Sequence, residues 1–179
     1  STCSFYATKM ITTGEGGIVL TNDNEIREAI IEAREYDKKP LNVTSYNYKM
    51  TDIQAALGLS QLKKLAYFIK RRREIAMIYN ERFSESAVTL PKLQSYERPV
   101  FYRYVLLIDK LARVQMMAKK RGIMCERPVF KPLHQSLSNV RCLSCDYVHD
   151  HALSIPLYPS LTEAETERVA KTLEQSLRE

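Results

Sequence analysis

The sequence has 179 residues, 45% of them hydrophobic and 27% charged, which is typical of a globular chain with one sizeable core. It contains no run of about 18 apolar residues, so the composition excludes a membrane-spanning helix, and we expect no membrane partner. The net charge of +6 is compatible with a phosphorylated ligand or another acidic partner, and does not by itself decide between them.

The first part of the chain predicts an α/β arrangement. Residues 2–6 favour a strand, and three of the chain's five glycines then fall within positions 14–17, which predicts a tight turn with unusual backbone angles. Residues 18–21 read as a buried strand, and Asn22 with Glu25 three residues later reads as the start of a helix. The predicted apolar stripe of that helix consists of Ile26, Ala29, Ile30 and Ala33.

A long loop precedes the next helix. Residues 36–50 show no periodicity and contain a proline, and loops of this length in compact domains usually have a function. Thr51 and Gln54 have the spacing of a capping box, which opens a helical pattern that continues to Phe83. A helix of that length predicts a bend, which we place near Ala66, where one domain passes into the next.

Beyond Pro91 the pattern predicts a small α+β domain. The predicted elements are a strand at 102–108, a helix at 110–121 that ends at Gly122, a strand at 123–126, a proline-containing loop at 127–141, a helix at 143–152 and a last helix from Thr162. Glu165, three residues after Thr162, completes a second capping box.

Basic residues are densest in the middle of the predicted long helix. Helical spacing distributes them around the surface, so a small nucleic-acid-binding protein built on this helix is retained as an alternative function of another class. Our preferred reading is that the chain binds no nucleic acid. The cluster consists of Lys63, Lys64, Lys70, Arg71, Arg72 and Arg73.

The four cysteines predict neither a disulfide framework nor a metal site. A chain of this length without a secretory signal favours reduced thiols and the cytoplasm. Cys142 and Cys145 form a CxxC motif followed by His149 and His151. A zinc site needs four ligands that converge on the metal, and the sequence shows that four candidates are present but not that they converge. We expect a surface turn that enters a helix, and no metal.

Lys9 is the first candidate for chemistry, because it follows a predicted strand and precedes the glycine turn, at a strand end where open α/β sheets bind ligands. A lone lysine there is more often a solvated side chain. Four segments that follow one another along the chain, however, resemble the DegT/DnrJ/StrS group of nucleotide-sugar aminotransferases. They are SFYATK at 4–9 with GEGG at 14–17, YNYKMTDIQAALG at 46–58, KPLH at 131–134 and ALSIPLYP at 152–159.

The resemblance implies an α/β fold, that of the fold-type I pyridoxal-phosphate transferases, with residues 1–60 as the C-terminal part of the large cofactor-binding domain and residues 61–179 as a small α+β C-terminal domain. We therefore expect the chain to begin inside a longer protein, called the parent protein below. The implied activity is transfer of an amino group, expected from glutamate, to a keto group of a nucleotide-linked sugar. The implied assembly is a homodimer with shared active sites.

Two qualifications accompany this expectation. The family's acidic partner of the pyridine nitrogen and its ring-stacking aromatic lie upstream of the cofactor lysine, so the 179-residue chain is expected to be inactive by itself and to associate through apolar surface. A non-catalytic or regulatory member of the same family is the other alternative.

Five residues carry the implied site. Lys9 would hold pyridoxal phosphate covalently, because the chemistry needs an amine that attacks the cofactor aldehyde and later moves a proton. Ser4 matches the ligand of the cofactor phosphate, and Asn47 matches the asparagine that reaches the phosphate in the neighbouring subunit. His134 matches a histidine near the substrate sugar, and Tyr6 is positioned to line the site. Each of the five also has a purely structural interpretation, which for Lys9 is a solvated side chain.

Other signature positions predict structure or depart from the family. Related dehydratases carry histidine in place of Lys9, so lysine favours transamination. Asp52 and Gln54 belong to the signature but are both expected to be structural, Gln54 as a helix-capping residue. Lys49 stands where the family usually has arginine, which keeps the charge and loses a bidentate contact.

Overall fold

A computed structural model describes residues 1–37, 39–40 and 43–178, which form two units, Ser1–Ala66 and Tyr67–Glu179. These are called the first and second units. Lys38, Leu41 and Asn42, which belong to the predicted loop at 36–50, lie outside the described residues. The sequence placed the domain boundary after residue 60, and the assignment of the two parts to a large and a small domain stays a prediction.

In its described residues the first unit is a hairpin followed by two helices. Strand β1 (Thr2–Ser4) pairs antiparallel with β2 (Gly17–Val19), and the helices are α1 (Asn24–Arg34) and α2 (Asp52–Leu62). Both strands are shorter than predicted, because pairing extends only from Ser4 opposite Gly17 to Thr2 opposite Val19. The hairpin presents the loop that joins its strands at one end.

The two helix starts show how capping works in this chain. Asn22 was predicted to begin α1, but Asp23 is the cap: its Oδ1 accepts from two backbone N–H groups of the first turn at 2.9 and 3.2 Å. The Asp23 carboxylate lies one residue closer to those donors than Asn22 does. The predicted capping box of α2 is confirmed, with Thr51 Oγ1 accepting from Gln54 N and Gln54 Oε1 accepting from Thr51 N.

Apolar side chains of the first unit are exposed. The predicted buried strand is wrong for this chain, since Ile18 and Val19 are 43% and 41% exposed and neither α1 nor α2 has a buried residue. Among the described residues of this unit only Thr13 is buried. The physical reason is that a two-stranded hairpin burying one face needs a second packed layer. Further exposed residues are Leu20, Ile53, Leu57, Leu59 and Leu62.

The predicted long helix is interrupted. Helix α2 ends at Leu62 and α3 (Leu65–Phe83) begins after a turn at Lys63 and Lys64, slightly before the predicted bend at Ala66. The backbone N–H of Lys64 donates to Gln61 O at 3.0 Å, a tightening typical of a helix end.

As far as the structure describes it, the second unit contains a two-stranded antiparallel sheet and four α-helices. Its elements are α3, β3 (Tyr104–Leu107), α4 (Leu111–Lys120), a 3₁₀ turn (Leu133–Ser136), α5 (Leu143–His151), β4 (Ala152–Ile155) and α6 (Glu163–Arg178). Strand β4 was not predicted, although it is the partner of β3. The strand predicted at 123–126 is reduced to one bridge, between Glu126 and Ser154.

This unit has a well-packed core. Residues of α3, α4 and α6 are buried together with those of β3 and β4, chiefly Ile75, Tyr79, Phe83, Tyr104, Leu106, Val114, Leu153 and Leu173. The two buried phenols are satisfied: Tyr79 donates to Pro156 O and Tyr104 to Asn80 Oδ1, each at 2.7 Å. Burial raises the pKa of both phenols, so they stay neutral donors. None of the described helices is both long and apolar enough to cross a bilayer.

Candidate functional site

Lys9 lies in the lysine loop, a name used here for residues 5–16 between β1 and β2. Two backbone hydrogen bonds close the base of the loop: Phe5 N donates to Gly16 O at 2.9 Å, and Thr13 N donates to Phe5 O at 3.0 Å. Within the loop, Lys9 N donates to Tyr6 O at 2.9 Å and forms a turn. The loop therefore presents Lys9 as an exposed residue on a closed, hydrogen-bonded base.

Two threonines fix the second half of the loop. Thr12 Oγ1 donates to Phe5 O at 3.1 Å and accepts from Gly14 N at 2.9 Å. Thr13, which is 4% exposed, donates from Oγ1 to Glu15 O at 2.6 Å. These bonds hold the end of the loop that returns to β2.

Helix α2 supports the same end of the loop. Gln54 Nε2 donates to Glu15 O at 3.2 Å, so this residue serves the loop as well as the cap of its own helix. Gly58 of α2 faces Thr13, because a Cβ atom on Gly58 would lie 3.0 Å from Thr13 Cγ2. The helix thus approaches the loop closely at a glycine, and the signature segment that contains Gln54 and Gly58 packs against the lysine loop.

The predicted tight glycine turn is confirmed. Gly14 and Gly16 have φ angles of 81° and 143°, which side-chain-bearing residues rarely adopt. At Gly16 there is also no room for a side chain, since a Cβ atom would lie 2.7 Å from Thr13 Oγ1 and 2.9 Å from Met50 Cε. The turn brings the chain back into β2 directly beside β1.

Ser4 ends β1 at the entrance to the lysine loop. Its Oγ accepts a hydrogen bond from Tyr6 N at 3.2 Å. The hydroxyl therefore caps the end of the strand, which was the structural alternative to a cofactor ligand. A hydroxyl that accepts one bond still has its own hydrogen to donate. Ser4 can therefore serve the turn and an anionic ligand together. Tyr6 is 45% exposed beside it.

Asn47 lies in a different place from Lys9. It lines a cavity of about 670 Å³ in the first unit together with Glu15, Gly17 and Lys49, among others, whereas neither Lys9 nor Ser4 lines this cavity. The flanking rings of Tyr46 and Tyr48 stack at 4.9 Å with an interplanar angle of 4°, and Tyr46 N donates to Ala33 O at 2.8 Å. The structure thus fixes the segment around Asn47 without bringing it into one cavity with Lys9.

Lys49 has a structural role. Its Nζ donates to Glu35 Oε2 at 3.0 Å and to Asp37 Oδ2 at 3.1 Å, and it lies 4.9 Å from the centre of the Tyr36 ring. The hydrogen bond to Glu35, followed by that to Asp37, raises the pKa of Lys49 and keeps it charged. A lysine makes these single bonds as well as an arginine would, because they go to two separate carboxylates.

His134 belongs to the second unit and contacts a carboxylate. Its Nε2 lies 2.9 Å from Asp146 Oδ1, and Gln135 Nε2 donates to the same oxygen at 3.2 Å. Hydrogen bonds from Gln135 and then His134 lower the pKa of Asp146, so Asp146 is an acceptor and His134 Nε2 carries the proton. Asp146 was not predicted as a partner, because nothing in the sequence indicates that this carboxylate contacts His134.

The expectation of reduced cysteines is wrong for one pair: Cys142 and Cys145 form a disulfide at the start of α5. Their Cα atoms are 5.2 Å apart, which suits a disulfide, and the CxxC spacing was the available signal. The two histidines after them have other contacts, since His149 Nδ1 lies 3.2 Å from Arg127 Nη1 and His151 Nδ1 lies 2.7 Å from Tyr147 O. In the described part of the chain no group of three or more His, Cys, Asp or Glu residues is arranged to hold a metal.

The arginines of the basic helix are structural, and their predicted placement around the surface is wrong for Arg72. This residue is buried, and its Nη1 donates to the carbonyls of Phe101, Tyr102 and Leu157 at 3.2, 3.1 and 3.0 Å. Arg71 donates to Leu161 O at 2.9 Å, and Arg73 donates to Pro99 O at 2.9 Å. These three arginines therefore stabilise the fold of the second unit.

Comparison with known proteins gives the family. The sequence model of the DegT/DnrJ/EryC1/StrS aminotransferase family matches residues 1–174, and the chain belongs to this family. Pyridoxal phosphate is the cofactor of the family. The predicted membership and the predicted α/β fold of such transferases are confirmed.

Individual proteins similar to this chain are consistent with the family assignment. The chain is similar to the uncharacterized protein MJ1066 of Methanocaldococcus jannaschii, with 34% identity over 89% of this chain and 49% of that protein. It is also similar to GDP-perosamine synthase of Caulobacter vibrioides, with 31% identity over 99% of this chain and 52% of that enzyme.

Among solved structures, Helicobacter pylori PseC, an aminotransferase involved in the biosynthesis of pseudoaminic acid, superposes with a TM-score of 0.86. Its sequence is 27% identical, and the match covers 99% of this chain and 53% of PseC. The chain spans about half the length of the relatives that it matches.

Proposed function

We propose that the parent protein transfers an amino group from an amino-acid donor, glutamate, to a keto group of a nucleotide-linked sugar, with pyridoxal phosphate held on Lys9. The observation that carries this proposal is the placement of Lys9 on a loop closed at its base and supported by α2. The two signature segments that pack together here belong to an aminotransferase family. Relatives of this chain include a GDP-perosamine synthase and a UDP-sugar transaminase, which supports the substrate class.

The donor groups fit the cofactor. Pyridoxal phosphate carries an aldehyde, which a primary amine attacks, and a phosphate, which hydroxyl and amide donors bind. Lys9 supplies the amine, Ser4 a hydroxyl at the strand end and Asn47 an amide, just before the N-terminus of α2. When bound, the cofactor supplies an electron sink that stabilises negative charge on the carbon losing its proton.

The chain's own residues then have defined tasks. Lys9 Nζ would hold the cofactor through its aldehyde carbon and, once released by the donor's amino group, would move the proton of the donor's α-carbon. Ser4 Oγ accepts from Tyr6 N and would donate its own hydrogen to the cofactor phosphate. Thr12 and Thr13 hold the base of the lysine loop, so that Nζ is positioned before substrate arrives.

We propose further that the parent protein is a homodimer in which Asn47 binds the cofactor phosphate of the neighbouring subunit. The separation within one chain supports this, since Asn47 lines a cavity to which Lys9 and Ser4 do not contribute. His134, oriented by Asp146, and Tyr6 are proposed to contact the sugar substrate. Shared sites would make catalysis depend on assembly.

For the 179-residue chain alone we propose no turnover. Its first unit leaves its strands and helices uncovered, and the exposed apolar residues favour association over a stable isolated site. We place the parent protein in the cytoplasm, because Cys3 is an exposed free thiol and Cys125 is also unpaired.

A coupled assay tests the proposed function. The parent protein, loaded with pyridoxal phosphate, is incubated with glutamate and a panel of nucleotide-linked keto-sugars, and 2-oxoglutarate is measured alongside the aminated sugar. We expect the two products in equal amounts with at least one sugar, and none with the corresponding free keto-sugar. A loaded protein that releases no 2-oxoglutarate with any of them would instead be a non-catalytic or regulatory member.

A further inference from the structure

The disulfide at the start of α5 is accessible. Cys142 is the residue before the helix and is partly buried, whereas Cys145 lies in the first turn and is exposed. The loop that the disulfide closes is short, with a sequence separation of 3. Exposed disulfides exchange with small thiols more readily than buried ones, and disulfides in reducing compartments are usually catalytic or redox-sensing.

The same helical turn holds the partner of His134. Asp146 follows Cys145 directly, and its backbone N–H donates to Cys142 O at 3.0 Å. The carboxylate of Asp146 accepts from His134 and Gln135. Cys142, Cys145 and His134 also line one largely apolar cavity of about 670 Å³ in the second unit. The sulfur pair and the histidine are therefore joined through one residue and one cavity.

The helix start depends on the disulfide more than most helix starts would. Cys142 occupies the cap position, but no side-chain hydrogen bond caps the helix. The usual caps, Ser, Thr, Asp or Asn, stabilise a helix start with a side-chain hydrogen bond, and that bond is missing here. In its place the disulfide ties the cap residue covalently to the first turn.

We propose that Cys142 and Cys145 form a reversible thiol–disulfide switch that sets the position of Asp146 and, through it, of His134. In the disulfide form the first turn of α5 is held and Asp146 orients His134. In the dithiol form the first turn loosens and the histidine loses its fixed partner. The effect of the switch on sugar binding rests on the function proposed above, whereas the switch itself does not.

The exchange needs only a thiol–disulfide couple such as glutathione. In reduction, a glutathione thiolate attacks the exposed Cys145 sulfur, the bond between the two cysteines breaks, and Cys142 leaves as a thiolate at the helix N-terminus, where the helix dipole stabilises negative charge. A second glutathione releases Cys145. The pair gains two electrons and two protons, and two glutathiones become one glutathione disulfide.

The first test is a redox titration of the 179-residue chain. The chain is equilibrated in mixtures of reduced and oxidised glutathione, acid-quenched and alkylated, and the Cys142–Cys145 peptide is quantified by mass spectrometry. We expect the pair to pass fully from dithiol to disulfide within this series. A pair that stays reduced in excess oxidised glutathione, or stays oxidised in excess reduced glutathione, overturns the proposal.

The second test follows the structural consequence. Hydrogen exchange of the peptide spanning 140–151 should be at least about threefold faster in the reduced chain, with α6 unchanged. The matched control Cys145→Ser should exchange like the reduced chain in every buffer. Equal exchange in the reduced and oxidised wild-type chains overturns the proposal.

A third readout reports on His134 directly. Its ring nitrogen resonances should shift between the oxidised and reduced chains, while those of His151, held by Tyr147 O, should not. In the Cys145→Ser variant the His134 resonances should be the same in reducing and oxidising buffers. Unchanged His134 resonances on reduction of the wild-type chain would show that the sulfur pair does not act on this residue. None of the three tests involves the cofactor, so their failure is separable from failure of the proposed function.

Discussion

Replacement of Lys9 by alanine should lower transamination by the parent protein by about 10³-fold or more. The reason is that under the proposed function one amine would perform two tasks, binding the cofactor aldehyde and later transferring a proton, and alanine can perform neither. No other lysine lies in residues 4–9 to replace it. The measurement is the rate of 2-oxoglutarate release from glutamate at saturating cofactor.

Two variants control this experiment. Lys9→Arg keeps the positive charge without a usable nucleophile, and we expect it to be as inactive as Lys9→Ala. Lys119→Ala removes an exposed lysine in the last turn of α4, and we expect the wild-type rate. A Lys9→Ala protein that retains more than a tenth of the wild-type rate would mean that another residue carries the cofactor.

Mixing two inactive variants should restore activity if the site is shared between subunits. Lys9→Ala and Asn47→Ala proteins, each inactive or nearly so alone, should after subunit exchange give about a quarter of the wild-type rate. This follows because roughly half of the dimers are mixed and each mixed dimer has one intact site of two. The measurement is the transamination rate against time after mixing, with exchange followed by differently tagged subunits.

The matched control is a protein that carries both substitutions in one chain, mixed with the wild type. Its mixed dimers hold Lys9 and Asn47 only on the wild-type subunit, so each of their two sites lacks one residue, and activity should fall as exchange proceeds. If the Lys9→Ala and Asn47→Ala mixture stays inactive although exchange is complete, Asn47 does not act across the dimer.

Local patterns were the part of the fold that the sequence predicted well. The capping boxes at Thr51 and Thr162 are present, with Glu165 accepting from Thr162 N at 2.9 Å, because caps depend on residues three positions apart. The glycine turn was also predicted, because its glycines lie close together in the sequence. Asn22 was misassigned in favour of Asp23, since adjacent polar residues compete for the same donors and sequence alone does not rank them.

Long-range pairing was the part that the sequence did not predict. Strand β4 is recognisable only through β3, its partner about fifty residues earlier in the chain. Arg72 was expected on the surface, but three carbonyls from distant segments converge on it and make burial possible. In the first unit, Ile18 and Val19 have the pattern of a buried strand but lie exposed, which agrees with the expectation that this chain has uncovered apolar surface.

In the candidate site, too, local features were predicted from the sequence and long-range contacts were not. Lys9 and its loop could be placed from sequence, because the strand, the glycines and the signature are contiguous. The Asp146 partner of His134 could not, since it depends on how the 3₁₀ turn meets α5. The disulfide beside it was not predicted, although its CxxC spacing is local. The roles of Ser4 and Asn47 in binding the cofactor stay predictions.

The most direct measurement of the central claim is chemical trapping on the parent protein. The protein is loaded with pyridoxal phosphate, reduced with borohydride, digested and mapped by mass spectrometry. We predict one stable phosphopyridoxyl adduct, on Lys9, in the peptide that contains Ser4-Phe5-Tyr6-Ala7-Thr8-Lys9, with loss of the visible cofactor absorbance on reduction. A stoichiometric adduct on another lysine, with Lys9 unmodified, would contradict the account.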